Sequence, residues 1–217
     1  MTNPAESAAD ASRPATPGIR FFHAKRSRSF GILWLLEELG VDYELKLVDI
    51  RAEGGAPEAY RAIQPNKKVP AILDGDIVVT ERAAIALYLT ERFPDAKLAP
   101  PPGDPGRAKF ISSLVYTDAV VDPALSAKLL GFQYQARDVS YGSFDDMIAN
   151  VETTLRHHDY AAGDAFTAAD TQLGSAVFWG LEVMKALPDR PAFRDYLKRL
   201  QERAAFQRCS KIDQDAT

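Results

Sequence analysis

One cysteine, Cys209, is all that the 217 residues contain. That excludes an internal disulfide and any cysteine-based metal cluster. Histidine is scarce too. His23, His157 and His158 show no metal-ligand spacing. His157 and His158 are neighbours in a helical stretch and point in different directions, as on a solvated helix face. No apolar run reaches the ~18 residues that span a bilayer. No long basic run occurs, and the formal net charge is −4, which speaks against a nucleic-acid surface. The opening MTNPAESAADASRPATPG has no basic segment leading into an apolar one, so it does not read as a secretory signal. Its Ala, Ser, Pro and Thr content gives residues 1–17 the composition of a disordered tail. A cytoplasmic location fits these absences.

What is present is a 46% hydrophobic chain, enough for one large or two small cores. Ile19 to His23 reads as a first strand. Ser29 to Gly40 carries Ile32, Leu33, Leu35, Leu36 and Leu39 at helical spacing, with Gly40 as its stop. Tyr43 to Ile50 alternates as a second strand. A short helix is expected from Pro57. Asp74-Gly75 between two apolar runs is a hairpin signal, and Thr80 then reads as an N-cap with Glu81 in the first helical turn. The order β-α-β-α-β-β-α follows, with a parallel pair from the crossover and an antiparallel edge from the hairpin.

Pro94 to Arg107 is dense in Pro and Gly and reads as a linker. Beyond it the pattern is helical. Lys109 to Phe132 is one long helix or a kinked pair, with Pro123 as the break. Asp138 to Tyr160 is a second helical stretch. Thr167 with Asp170 makes a capping-box variant. A last helix opens at Pro191 and places Phe193, Leu197 and Leu200 on one face. The organisation is therefore an α/β domain over 18–93, a linker over 94–107 and an all-α bundle over 108–217.

Three stretches, SRSFGILWLLEELGVDYELKLV, KVPAILDGDIVVTERAAIALYL and FTAADTQLGSAV, resemble the signatures of the soluble glutathione S-transferase family. The likeness is to its bacterial and fungal members, and it runs from about Ile19 to Cys209. It implies a thioredoxin-like N-terminal domain, a helical C-terminal domain, a homodimer, and glutathione as co-substrate with no metal.

The residues can be read against that ligand, a peptide with two carboxylates, an ammonium and a thiol. A cis Pro70 would turn the N–H and C=O of Val69 outward as a sheet edge for a peptide. The resemblance implies that Val69 pairs with the cysteinyl unit. Glu81 and Arg82 stand at a helix N-terminus, which favours a carboxylate, and Glu81 is placed to take the ammonium. The family has Ser where this chain has Arg82, whose guanidinium either makes a charge-assisted contact in place of the hydroxyl or points to solvent. Lys68, with Lys67 as a rival, matches the position that holds the glycyl carboxylate. Ser27, with Ser29 as second choice, is the expected partner of the thiolate, between the first strand and first helix and flanked by Arg26 and Arg28. Gly31 replaces an Arg common in this branch. Phe110, Tyr116 and Thr117 are the expected wall for a small hydrophobic electrophile. Asp170 is assigned to folding by its capping role.

The activity expected is thiolate attack on an electrophilic carbon or a peroxide, in a detoxifying role. The alternative is a non-catalytic binding or scaffold protein of the same fold. A thiol-disulfide oxidoreductase would need a reactive cysteine near the first helix, and Cys209 lies far from it in sequence.

Overall fold

The computed structural model describes residues 18–216. The expected 1–17 tail lies outside them. A four-stranded sheet, in the order β2-β1-β3-β4, is built from β1 (Ile19–His23), β2 (Tyr43–Leu47), β3 (Ala71–Asp74) and β4 (Ile77–Thr80). β1 and β2 are parallel because α1 (Phe30–Leu39) crosses between them, while β3 runs antiparallel to both β1 and β4. This is the expected thioredoxin-like order with one change. The short helix after β2 is a single 3-10 stretch, Glu58–Ala62, capped by Pro57. Pro65 lies too close to let it lengthen.

Thr80 is not the N-cap of the next helix. It pairs with Ala71 as the last residue of β4, and Glu81 caps α2 (Arg82–Arg92) with φ 66°.

Six further helices follow: α3 (Gly106–Tyr116), α4 (Asp122–Leu130), α5 (Phe144–His157), α6 (Ala168–Phe178), α7 (Pro191–Gln201) and α8 (Ala204–Asp215). α3 runs into α4 through a π-helical turn, Thr117–Val121. Pro123, lacking an N–H, leaves the carbonyl of Ala119 without its helical partner, and the widened turn accommodates this. The stretch from Pro191 to Cys209, expected as one helix, is broken. Arg203 takes an extended backbone because its guanidinium bonds Glu38 on α1 at 2.6 and 2.8 Å and lies 3.5 Å over the Phe166 ring.

α1 is buried over its whole first two turns, Phe30 to Leu36. It lies between the sheet, α6 and α8. Trp34 meets Phe206 of α8 edge-on at 5.0 Å, a favoured aromatic geometry. The approach to α6 explains Gly31. A Cβ there would stand 2.9 Å from the Thr171 carbonyl oxygen and 2.8 Å from Gln172 Oε1, so neither Arg nor Ala fits. Gly40 ends α1 at φ 64°, its N–H bonded to the Leu36 carbonyl.

Candidate functional site

Two adjoining cavities open between the sheet side and the helical side. The larger, about 450 Å³, is lined by Ser27, Lys68 and Val69 on one side and by Leu125, Ala176, Trp179 and Met184 on the other. Its wall carries five cationic residues (Arg26, Arg28, Arg51, Lys68 and Arg82) and one acid, Asp122. That imbalance favours an anionic ligand. The smaller, about 170 Å³, adds Gln64, Pro70, Glu81 and Asp118.

Ser27 sits in the loop between β1 and α1, on the cavity wall. Ser29 does not reach it. Ser29 is fully buried behind Ser27, with the two hydroxyl oxygens 2.7 Å apart. The Ser29 N–H donates to Ser27 Oγ at 3.2 Å, and the Phe30 N–H to the Ser27 carbonyl at 3.1 Å. Ser27 Oγ is thereby held at the positive end of α1. The loop is tied down from outside. Arg51 donates to the carbonyls of Lys25 and Arg26 at 2.9 and 2.6 Å, and the Arg26 N–H to Asp213 of α8 at 3.0 Å.

Val69 stands on the facing edge, and its bond to Pro70 is cis. Among the described residues neither its N–H nor its C=O has a hydrogen-bond partner. The chain before it is fixed from below. Tyr60 donates its hydroxyl to the Lys68 carbonyl at 3.1 Å, and Gln64 Oε1 accepts the Lys68 N–H at 3.0 Å. Burial pushes the Tyr60 hydroxyl up to about 12, so it stays a donor at neutral pH. Lys68 lines both cavities. Lys67 turns away, its ammonium 3.0 Å from the Gly54 carbonyl.

Glu81 is exposed at the smaller cavity with a left-handed φ of 66°, a conformation that costs roughly 1–3 kcal/mol and collects at functional sites. Arg82 neither points to solvent nor stands free for a ligand. Its side chain is 6% exposed and its guanidinium is paired with both Asp118 and Asp122. Asp118 also accepts the Ala83 N–H at 2.9 Å. Asp122 takes Arg28 as well, at 2.8 Å. The start of α2 is thus clasped to the turn joining α3 to α4. Sequence reasoning did not single out Asp118 and Asp122. Their signal is a four-residue separation, which puts two acids on one helix face.

The expected electrophile wall is not assembled. Phe110 and Thr117 are buried in the helical core, and Thr117 Oγ1 donates to the Ser113 carbonyl. Tyr116 and Thr117 line a separate cavity of about 110 Å³ with Asn150 and Leu173. α3 turns this face inward, and the apolar side of the larger cavity comes from α4, α6 and the turn after α6. Cys209 is fully buried, and burial pushes its thiol well above the ordinary range. It offers no thiolate for disulfide exchange.

Residues 17–91 match the family model "Glutathione S-transferase, N-terminal domain". The chain is 30% identical over 168 residues to a probable maleylacetoacetate isomerase of Caenorhabditis elegans, covering 74% of this chain and 77% of that one. The chain belongs to the glutathione S-transferase family. It is also 27% identical over 219 residues to glutathione S-transferase 3 of Schizosaccharomyces pombe, covering 83% of this chain and 87% of that one. Among solved structures, a sphingomonad glutathione S-transferase complexed with glutathione superposes with a TM-score of 0.75 at 28% identity, over 91% of this chain and all of that one (100%). The larger cavity sets an unpaired backbone edge at Val69 across from a hydroxyl at a helix start, Ser27.

Proposed function

We infer that this protein is a glutathione transferase. The observation that carries the reading is the facing pair Ser27 and Val69, set in one cationic cavity with an apolar far wall. Glutathione lies along Val69, whose free N–H and C=O take the cysteinyl backbone as an added strand. Lys68 meets the glycyl carboxylate. Glu81 meets the γ-glutamyl ammonium, and the positive dipole end of α2 the adjacent carboxylate. The thiol then points at Ser27, whose O–H donates to the thiolate once the proton has left. The sulfur lone pair forms a bond to an electrophilic carbon as the leaving group departs with its electron pair, giving a thioether. With a peroxide, two glutathiones give an alcohol, water and oxidised glutathione. Leu125, Ala176, Trp179 and Met184 suit a small hydrophobic electrophile. Residues 18–93 form the glutathione-binding domain, 94–107 the linker and 108–217 the helical domain, in a cytoplasmic, detoxifying homodimer. No helix among the described residues is long and apolar enough to cross a membrane.

Calorimetric titration with reduced glutathione at neutral pH tests this, with a saturable heat expected and thioether formation from an activated aryl halide. A folded protein that gives neither at millimolar glutathione is not a transferase.

Arg82 supplies a second test. Replacing it by Ser leaves Asp118 without a cationic partner, and Asp122 with Arg28 alone, beside an anion site. Breaking a buried pair from one side costs about 3 kcal/mol. Arg82→Ser is therefore expected to lower the melting temperature and weaken glutathione binding about tenfold. Adding Asp118→Asn removes one stranded charge and should restore part of both. Tighter binding in the single variant would show that the clasp hinders the ligand.

A further inference from the structure

His23 lies on β1, fully buried, and the reading above gives it no task. Its Nδ1 is 2.7 Å from Ser29 Oγ, and Ser29 Oγ is 2.7 Å from Ser27 Oγ. Its other nitrogen, Nε2, lies 3.1 Å from Asp213 Oδ1, close enough for charge contact but off the line of a hydrogen bond. The four side chains form one file from the cavity wall to α8. The Ala24 N–H donates to Ser29 Oγ at 3.2 Å, pinning that oxygen in place. Phe21 closes one side of the imidazole at 5.5 Å. The charged side chain in contact with the imidazole is Asp213 on α8. Lys25 and Arg26 follow in the loop after β1. The other charges on the elements around it, Arg20 on β1, Glu44 and Lys46 on β2, Glu37 and Glu38 on α1 and Arg208, Lys211 and Asp215 on α8, make no ion pair with it. Lys25 turns its ammonium to the carbonyls of Gln214 and Ala216, and Arg26 gives its N–H to Asp213.

Each hydroxyl in the file has one hydrogen, so the file has two settings. With Nδ1 as acceptor, Ser29 donates to His23, Ser27 donates to Ser29, and the outer oxygen of Ser27 is left to accept. With Nδ1 protonated every donor reverses, and the Ser27 hydrogen points into the cavity. The first setting suits a thiol, which must give up a proton. The second suits a thiolate, which needs a donor.

We propose that His23 takes up the glutathione thiol proton through Ser27 and Ser29, with Asp213 as its charge partner. The inference rests on the transferase reading. The S–H bond breaks and its proton passes to Ser27 Oγ. The Ser27 proton passes to Ser29 Oγ, and the Ser29 proton to His23 Nδ1. The electron pair stays on sulfur, and the positive charge comes to rest on the imidazole beside the Asp213 carboxylate. No external acceptor is needed, and the same step turns the Ser27 hydroxyl to face the thiolate. Imidazole is suited to the task because each ring nitrogen can either accept a hydrogen bond or carry a proton. His23 is thus a positioning and relay residue, never in contact with the ligand.

The test compares wild type, His23→Asn and Asp213→Asn by calorimetry with glutathione, by the ultraviolet absorbance of bound thiolate across pH, and by steady-state kinetics. Asn at position 23 keeps a polar group near Ser29 but cannot take up a proton. It is expected to leave glutathione affinity and KM within about twofold, to lower kcat about a hundredfold, and to move thiolate formation up by about one pH unit or more. Asp213→Asn should shift the same profile in the same direction by less. If His23→Asn does not fold, Asp213→Asn and Ser29→Ala decide by the same absorbance. Unchanged kcat and an unchanged thiolate profile in variants that bind glutathione would overturn the relay and leave the transferase reading standing. A wild type that binds no glutathione would overturn both.

Discussion

Replacing Ser27 by Ala should lower kcat/KM at neutral pH by ten- to a hundredfold, with glutathione affinity little changed. The hydroxyl is on the cavity wall and its oxygen is held by the Ser29 N–H. A hydrogen bond donated to a charged group contributes about 1.5–3 kcal/mol, and about 1.4 kcal/mol is a factor of ten. The lost donor therefore raises the thiol pKa in the complex by roughly one to two units. Activity measured against pH should show its ascending limb displaced upward by that amount, and activity at high pH should recover. Ser27→Thr, which keeps the hydroxyl, should recover most of the loss. If Ser27→Ala leaves the profile in place, the thiolate is held by another donor and Ser27 is only a turn residue.

The largest effect on stability is expected at Asp170. Both its oxygens are occupied. One accepts the Ala161 N–H at 2.7 Å and the Tyr196 hydroxyl at 2.9 Å, the other the Thr167 N–H at 2.8 Å and hydroxyl at 3.2 Å. Asp170→Ala leaves these donors buried and unmatched, at about 1–3 kcal/mol for each that finds no water. A loss of roughly 4 kcal/mol is expected, a large share of the 5–15 kcal/mol that holds a typical domain folded. Asp170→Asn would do little better, since its amide nitrogen meets donors rather than acceptors. Chemical denaturation measures both. A loss below about 1 kcal/mol would show that the loop before α6 rearranges freely.

The same residue sets a pH dependence. Burial pushes the Asp170 carboxyl from 3.8 up to about 6, against the pull of its four donors. A carboxyl raised on folding binds its proton more tightly in the native state. Its contribution is full below about pH 4 and declines as pH rises through about 6. The stability advantage of wild type over Asp170→Asn, which does not titrate, should therefore narrow between pH 4 and pH 7. A widening gap over that range would show that the four donors outweigh desolvation.

Much of this was legible because its causes are local. Thr167 and Asp170 declare a helix start within four residues, Gly40 declares a stop, and Asp74-Gly75 declares a hairpin. Val69-Pro70 announces a special turn by chemistry alone. Ser27 and Ser29 show the limit of that reading. Both are hydroxyls at the same helix start, and only the packing of α1 against the sheet and α6 decides which one faces the cavity. The break at Arg203 carries no Gly or Pro, because its cause is Glu38 on another helix. Arg82 read as a ligand or a solvated charge because Asp118 and Asp122 are far away in sequence. Phe110, Tyr116 and Thr117 stand away from the larger cavity for a related reason. Helical spacing identifies a buried face on α3 but does not say whether that face meets a cavity or the core. His23 has no spacing signal at all, since its partners come from the next helix start and from α8.

The dependence of the Ser27 loop on α8 has a consequence for biosynthesis. The loop follows β1 and leaves the ribosome well before α8, yet Asp213 and the carbonyls near the end of α8 hold it in shape. The nascent chain can bury its sheet early, but the Ser27 loop stays unfinished until α8 emerges and docks.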